Sequence, residues 1–338
     1  MPGIEYEAHA PIFGDPLIVV DLALQSPPVR RPPGSILVGV DEAGRLPEFT
    51  DEFDLLLSAD ADAPRPWCPV DRGMAAGGLA TIQRVVKRNP LAAATLSQVL
   101  RIGAHLGVAE ALAVESLAYS SLLGGSEFRT WRQSHQQVRA LRANCAPREP
   151  AERIRFRSEE ARVCLELADP ERHNAIDSYM RDALCEALNA VLDDPTAPEL
   201  HLRAQGRAFS VGGDLEEFGT SLDCAAAHAI RTLRSPALLL SRIRERATAF
   251  VQGACIGSGI EIAAAAGRIV AAPDSWFSLP EVTMGLIPGA GGTVTIARRI
   301  GRQRTLYWAL TNRKLNAMLA SQWGLVDEVR HAPRSAGA

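Results

Sequence analysis

The chain has 338 residues, of which 47% are hydrophobic and 22% charged, with a formal net charge of -3. Such a composition describes a folded protein with a substantial core, in one large domain or two ordinary ones, and excludes a disordered chain. The near-neutral balance and the scattered arginines give no reason to expect a nucleic-acid partner or an anionic membrane surface.

The opening MPGIEYEAHAP has acids and a proline where a secretory signal needs a basic and then an apolar region. No run of about 18 apolar residues follows, so no membrane span is expected and a cytoplasmic location is the default. Three β-branched or leucine-rich runs come next, PLIVVDLAL (16–24), SILVGVD (35–41) and FDLLLSAD (53–60), and these are predicted strands. SADADAPRPW (58–67) is predicted to be a linker. Residues 72–142 are predicted to be helical. Asn89-Pro90 is a cap followed by a proline at the first helical position, and the helix it opens closes at Gly103. VAEALAVESLAYSSLL is a second helix, with Ala111, Val114, Ala118 and Leu122 on one stripe, and EFRTWRQSHQQVRAL a third, more polar one. ANCAPREPAERI (143–154) is a second linker.

Beyond residue 154 strands and helices alternate, which argues for an α/β layer structure. Strands are predicted at 161–169, in ELHLRAQG, at 247–253 and at 267–274. Helices are predicted at 175–194, capped by Asp177, and at roughly 223–245, 258–266, 291–300 and 303–311. The six cysteines (68, 145, 164, 185, 224, 255) form no CxxC pair, and neither His173 nor His228 has a partner at metal-ligand spacing. The cysteines are expected to be buried free thiols, and no metal is expected.

Two glycine segments carry chemical information. AQGRAFSVGGDL (204–215) follows a strand, and Gly212 with Gly213 lets backbone amides turn toward a ligand. GACIGSGIE (253–261) places Gly257, Ser258 and Gly259 at a strand-to-helix junction, where the first amides have no partner within the helix. Two such sites facing each other would give two N–H donors to one oxygen. Glu261 and Glu281 are lone carboxylates in apolar surroundings; because burying an unpaired charge is costly, either both side chains reach water or the chain keeps them there to move protons. A nucleophile elbow is missed because Ala208 stands where glycine is needed. There is no GxxxxGK[ST], and the glycines of GACIGSG do not fit GxGxxG.

Residues 155–330 resemble the core of the crotonase, or enoyl-CoA hydratase/isomerase, superfamily. The stretches that carry the resemblance are RHNAIDSYMRDALCEAL, GRAFSVGGDLEEF, VQGACIGSGIEIAAAAGRIVAAPDSWFSLPEVTMGLIPGAGGTVTIARRIG and LASQWGLVDEV, in the family's own order. The resemblance implies a ββα spiral core and an acyl-CoA thioester substrate, whose enolate oxygen is held by the amides of Gly213 and Ser258. Glu261 and Glu281 fall on the two glutamates that hydratases use to add water across the conjugated double bond. Ala175, Phe209, Ser210, Gly212 and Asp214 fall along the expected path of the coenzyme, and Gly289 beside the reacting group. Serine at 258, where the family more often has glycine, narrows the thioester pocket. His173 is read as a surface or hinge residue, and Asp214 as a cap by its place after two glycines.

The implied activity is reversible hydration of a 2-enoyl-CoA. Double-bond isomerisation and non-catalytic acyl-CoA binding are the alternatives. No cofactor beyond the coenzyme A of the substrate is implied, and the resemblance implies a homotrimer or a dimer of trimers. One departure stands out. Residues 89–131 resemble the helical segment that normally follows the core, which implies a permuted order, so 72–142 is expected to cap the 155–330 core from the N-terminal side. Residues 1–70 form a short α/β segment, read as the remnant of an earlier core copy because FDLLLSADADA resembles the strand around GRIVAAPDS.

Overall fold

A computed structural model describes residues 6–25, 31–48, 51–70, 75–140, 152–159, 161–221 and 223–330. The first 70 residues place β1 (Leu17–Asp21), β2 (Ile36–Asp41), β3 (Leu55–Ser58) and β4 (Cys68–Pro69) side by side in chain order, all parallel. Their runs are apolar almost without alternation because β2 and β3 are buried on both faces. The stretch predicted as a linker at 58–67 is a set of turns that delivers β4, a strand too short for periodicity to reveal.

Four helices follow: α1 (Ala75–Arg88), α2 (Pro90–Gly103), α3 (Val108–Leu123) and α4 (Ser126–Ala140). Asn89 sits at the N-cap of α2, but its side chain does not cap the helix. Its Nδ2 donates to the Val282 carbonyl at 2.7 Å instead. The capping role passes to Glu127 of α4, whose carboxylate accepts from the amides of Leu91 (2.7 Å) and Ala92 (3.0 Å). Most of the linker predicted at 143–154, with Cys145, lies outside the described residues.

The second half is built on β5 (Ile154–Glu159), β6 (Arg162–Leu167), α5 (Ser178–Asp193), β7 (Glu199–Ala204), α6 (Cys224–Leu233) and α7 (Pro236–Arg242). These are followed by β8 (Ala247–Val251), β9 (Ala254–Ile256), α8 (Ser258–Ala263), β10 (Arg268–Ala271), β11 (Trp276–Ser278) and α9 (Gly292–Ile300). The described chain closes with α10 (Arg302–Thr311), β12 (Leu315–Asn316), α11 (Ala317–Gln322) and β13 (Glu328–Val329). The larger sheet runs β13-β10-β8-β7-β6-β5 and is parallel except for the β5–β6 hairpin. A small sheet runs β12-β11-β9. The chain leaves the large sheet for the small one twice, from β8 to β9 and from β10 to β11, and each time a helix follows. That repeat is the ββα spiral.

Asp177 caps α5 by accepting from the Met180 amide, and the helix buries Met180, Leu184, Leu188 and Val191. The single helix predicted over 223–245 is two, α6 and α7. Ser235 caps the second, and Pro236 stands at its first position, where a proline cannot continue the preceding helix.

One aspartate geometry occurs in both halves. Asp54, just before β3, donates its amide to Leu37 O (2.9 Å) and accepts the Leu37 amide on Oδ2 (2.9 Å). Asp327, just before β13, does the same with Ile269, at 3.0 and 2.7 Å. The halves also share a hydrophobic core, which extends from Leu17 and Ile36 through Ile82 and Leu96 to Trp308 and Val326. Among the described residues no helix is long and apolar enough to cross a membrane.

Candidate functional site

A cavity of about 550 Å³ opens between α3 and the second half of the chain. The small-sheet side of its wall is made by Ser258 and Glu261 of α8 and by Glu281, which follows β11. The turn before α9 adds Gly289, Ala290 and Gly291, the loop after β7 adds Gly213 and Asp214, and α6 adds Ile230 and Arg231. The remaining wall is α3, through residues that include Leu112, Glu115 and Tyr119.

Three of these groups are buried carboxylates. Glu261 Oε2 accepts from the amides of Ala290 (2.7 Å) and Gly292 (2.9 Å). Glu115 takes the amides between and beyond: Gly291 to Oε1 (2.7 Å) and Thr293 to Oε2 (2.9 Å), with the Thr293 hydroxyl also donating at 2.6 Å. Four successive amides at the start of α9 are therefore shared alternately by two side chains from different parts of the sequence. That helix end favours negative charge. Glu281 has only its own backbone amide in support, and its Oε2 is buried without a hydrogen-bond partner among the described residues. Its Oε1 instead lies where a side chain at residue 257 would have to be. A Cβ on Gly257 would stand 2.5 Å away, and the residue's φ of +48° suits glycine.

Burial raises all three acids above the ordinary carboxylate range. For Glu261 the two amides oppose the shift. For Glu115 the Glu261 charge adds to burial, while Thr293 and Gly291 oppose both. Glu281 is pushed well above that range, by burial first and then by the charge of Glu261, while its own backbone amide opposes the shift. Of two neighbouring buried carboxyls, the one with fewer donors is favoured to hold a proton and the donor-rich one to ionise.

Neither the Gly213 nor the Ser258 amide donates to another described residue, and both residues line the cavity. The Ser258 hydroxyl is buried without a partner as well. The other residues singled out in the sequence fall in different places. Asp214 lines the cavity, where it accepts from Arg172 and from the Glu216 amide. Ala175, Phe209, Ser210 and Gly212 are absent from the cavity lining among the described residues. Phe209 is a core residue, and Ser210 bonds the Asn174 carbonyl (2.7 Å) and the Gly212 amide (3.1 Å), holding the glycine loop in shape. His173 adopts a left-handed turn conformation. Among the described residues no group of three or more His, Cys, Asp or Glu is placed to hold a metal ion.

Glu115, Tyr119 and Arg231 were not singled out by the sequence. A signal for Glu115 was present, since it is an acid past the first turn of a helix rich in Ala, Val, Leu and Ser, where Glu110 of the first turn is the other acid.

A model of the enoyl-CoA hydratase/isomerase family matches residues 158–334, just over half of the chain. The chain belongs to that family. An enoyl-CoA isomerase/hydratase of Mycosarcoma maydis is 35% identical over 174 residues, which are 49% of this chain and 64% of that protein. The mitochondrial enoyl-CoA hydratase of Pongo abelii is 30% identical over 167 residues, 49% of this chain and 56% of that protein. The chain thus spans less than two thirds of the length of these relatives. The crystal structure of an enoyl-CoA hydratase from Thermoplasma volcanium is 29% identical, with a TM-score of 0.49 and coverage of 53% of this chain and 72% of that one. In this enoyl-CoA hydratase/isomerase family member the α3 wall, with Glu115 and Tyr119, lies outside the matched region.

Proposed function

We propose that the protein hydrates a 2-enoyl thioester of coenzyme A, or dehydrates the corresponding 3-hydroxyacyl thioester. One observation carries the reading: two isolated buried carboxylates, Glu261 and Glu281, share a cavity with two unspent backbone amides, those of Gly213 and Ser258. The amides would hold the thioester oxygen as it gains negative charge, a role in which preorganised donors contribute most. Glu261, the carboxylate with donors, takes a proton from the attacking water as its oxygen bonds to the β-carbon. Glu281, which holds its proton, delivers it to the α-carbon. The pair resets when a proton passes from Glu261 to Glu281, and the sum is one water added to one double bond.

The helical segment 72–142 is read as the cap of this site, a role supported by the α3 residues on its wall. Residues 1–70 are read as a partial second copy of the core, supported by the matching ladders of Asp54 and Asp327. A trimer or dimer of trimers, with the protein in the cytoplasm, remains the accompanying reading, and sedimentation velocity reads the assembly.

The test follows the loss of conjugated enoyl-thioester absorbance with a panel of 2-enoyl-CoA esters, for the wild type, Glu261→Gln and Glu281→Gln. Both variants should lose on the order of 10²–10⁴ in turnover. Hydration by the wild type that survives in either variant would remove the two-carboxylate mechanism. Double-bond migration without hydration would replace it with isomerisation.

A further inference from the structure

Arg231 is the unexplained charge of this cavity. It projects from α6, and its guanidinium stands 4.8 Å from the centroid of the Tyr119 ring. Nε donates to Ser116 Oγ (3.2 Å), and Nη2 to the Ser116 carbonyl (3.3 Å) and to Ser120 Oγ. His228 Nδ1 meets the same Ser116 hydroxyl at 2.9 Å. Among the described residues Nη1 has no partner, and no carboxylate comes within ion-pair distance of the guanidinium. Of the five acids on the cavity wall, Glu115 and Glu261 serve the start of α9, Asp214 accepts from Arg172, Glu217 from the Ser178 amide and hydroxyl, and Glu281 makes no ion pair with Arg231 among the described residues. The other wall arginines are Arg181, which pairs with Asp182, and Arg234. Burial disfavours the Arg231 charge, with Tyr119 and Glu115 in part offsetting this, yet a guanidinium stays cationic. A half-buried cation on a cavity wall, with one edge free of protein partners among the described residues, is suited to receive an anion.

Building on the acyl-CoA reading above, we propose that the acyl group of the substrate ends in a carboxylate, received by Nη1 of Arg231 beside the Tyr119 ring. The phosphates of coenzyme A are the other source of the same chemistry. Position favours the acyl group. Arg231 lies against Tyr119, the ring that covers Gly289, and on α3 Tyr119 is one turn from Glu115. The guanidinium therefore stands at the end of the cavity that holds the carboxylates. A charge-assisted pair in such a site discriminates against an apolar terminus, because an apolar group displaces water from the half-buried cation without replacing its hydrogen bonds.

The experiment measures calorimetric binding of two unreactive saturated esters of matched length, adipyl-CoA and hexanoyl-CoA, to the wild type, Arg231→Met and Arg231→Lys. The wild type should bind adipyl-CoA about 10- to 100-fold more tightly. That ratio should collapse to about 1 in Arg231→Met and be partly kept in Arg231→Lys. Equal wild-type affinities overturn the proposal without need of any variant. Adipyl- and hexanoyl-pantetheine separate the two sources. A preference kept without the nucleotide supports the acyl carboxylate, and loss of affinity for both CoA esters alike in Arg231→Met, absent with pantetheine, assigns the arginine to the phosphates and overturns it. Ser120→Ala loosens the tether to α3 while keeping the cation, so its preference should persist. If the acid preference holds but no enoyl ester is hydrated, the hydration reading fails and this one stands. If neither CoA ester binds, both fall.

Discussion

Gly289 has no side chain because Tyr119 fills the space: a Cβ there would lie 2.2 Å from Cδ2 of that ring. Gly289→Ala must displace the ring, which lines the same cavity as the carboxylates, and a displacement of about 1 Å near a reaction centre costs on the order of 10²-fold in rate. The expected result is a loss of about 10- to 100-fold in kcat/KM, largely relieved when the same change is made in a Tyr119→Ala background. Independent, multiplying losses in the double variant would show that the ring is not the obstacle. The second residue prediction concerns Glu115. Its folded-state affinity for a proton is raised by burial and by Glu261, so the native state binds that proton more tightly than the unfolded chain does. Stability from this group is complete below the ordinary glutamate range and is lost as pH rises through the raised value. Urea midpoints from pH 5 to pH 9 should therefore fall more steeply for the wild type than for Glu115→Gln. The stability gap between them should change by about 1–3 kcal/mol across that range, and parallel curves would contradict it. Glu261 and Glu281 could be read in the sequence because each stands alone among apolar neighbours. Glu115 shares its helix with Glu110, the helix was assigned a stripe through Ala111, Val114, Ala118 and Leu122, and the partners of Glu115, Gly291 and Thr293, are 176 and 178 residues away. Nothing local in the chain announces that pairing.

At the scale of the helix and strand, capping decides what the sequence could and could not show. Asp177 could be read as a cap because donor and acceptor are three residues apart, and the Met180 amide meets it at 2.8 Å. Asn89 had the same credentials, yet tertiary structure uses it to bond Val282, next to Glu281, while Glu127 supplies the cap of α2 from another helix. Glu127→Gln keeps the shape but removes the charge that the helix end favours, and should cost about 0.5–1 kcal/mol. Glu127→Ala leaves both amides unserved and should cost about 1–2 kcal/mol. Denaturant midpoints measure both, and an Ala variant as stable as the wild type would mean that water serves these amides as well. The short strands β9, β11, β12 and β13 escaped the sequence reading for a different reason. Strands of two or three residues are too brief for alternation to register, and they exist because the ββα turns place them beside one another.

At the scale of the whole molecule, the question is whether the N-terminal sheet and its helices are an appendage or part of one folding unit. The hydrophobic core answers in one direction, since Ile36, Leu55, Ile82 and Leu96 belong to the same cluster as Trp308 and Val326. Polar contacts agree. Arg304 of α10 is 5% exposed and donates Nε to Trp67 O and Nη2 to Ala63 O, both at 2.8 Å, so a buried cation of the second half serves two carbonyls of the first. Asp54, ahead of β3, faces Arg31, Arg101 and Arg302, which come from the N-terminal segment, α2 and α10. Chains of this length often unfold in stages, but stages need a seam where few apolar contacts cross, and the core offers none between these parts. Calorimetry should give a single transition whose van't Hoff and calorimetric enthalpies agree. Arg304→Met would remove the two hydrogen bonds that the guanidinium gives to the carbonyls of Ala63 and Trp67, at a cost of about 2–5 kcal/mol. Because the unit is shared, that loss should lower the one transition as a whole, and the near-ultraviolet and far-ultraviolet signals should move together. An early transition confined to part of the signal, with the later one untouched by Arg304→Met, would show two units that merely adhere.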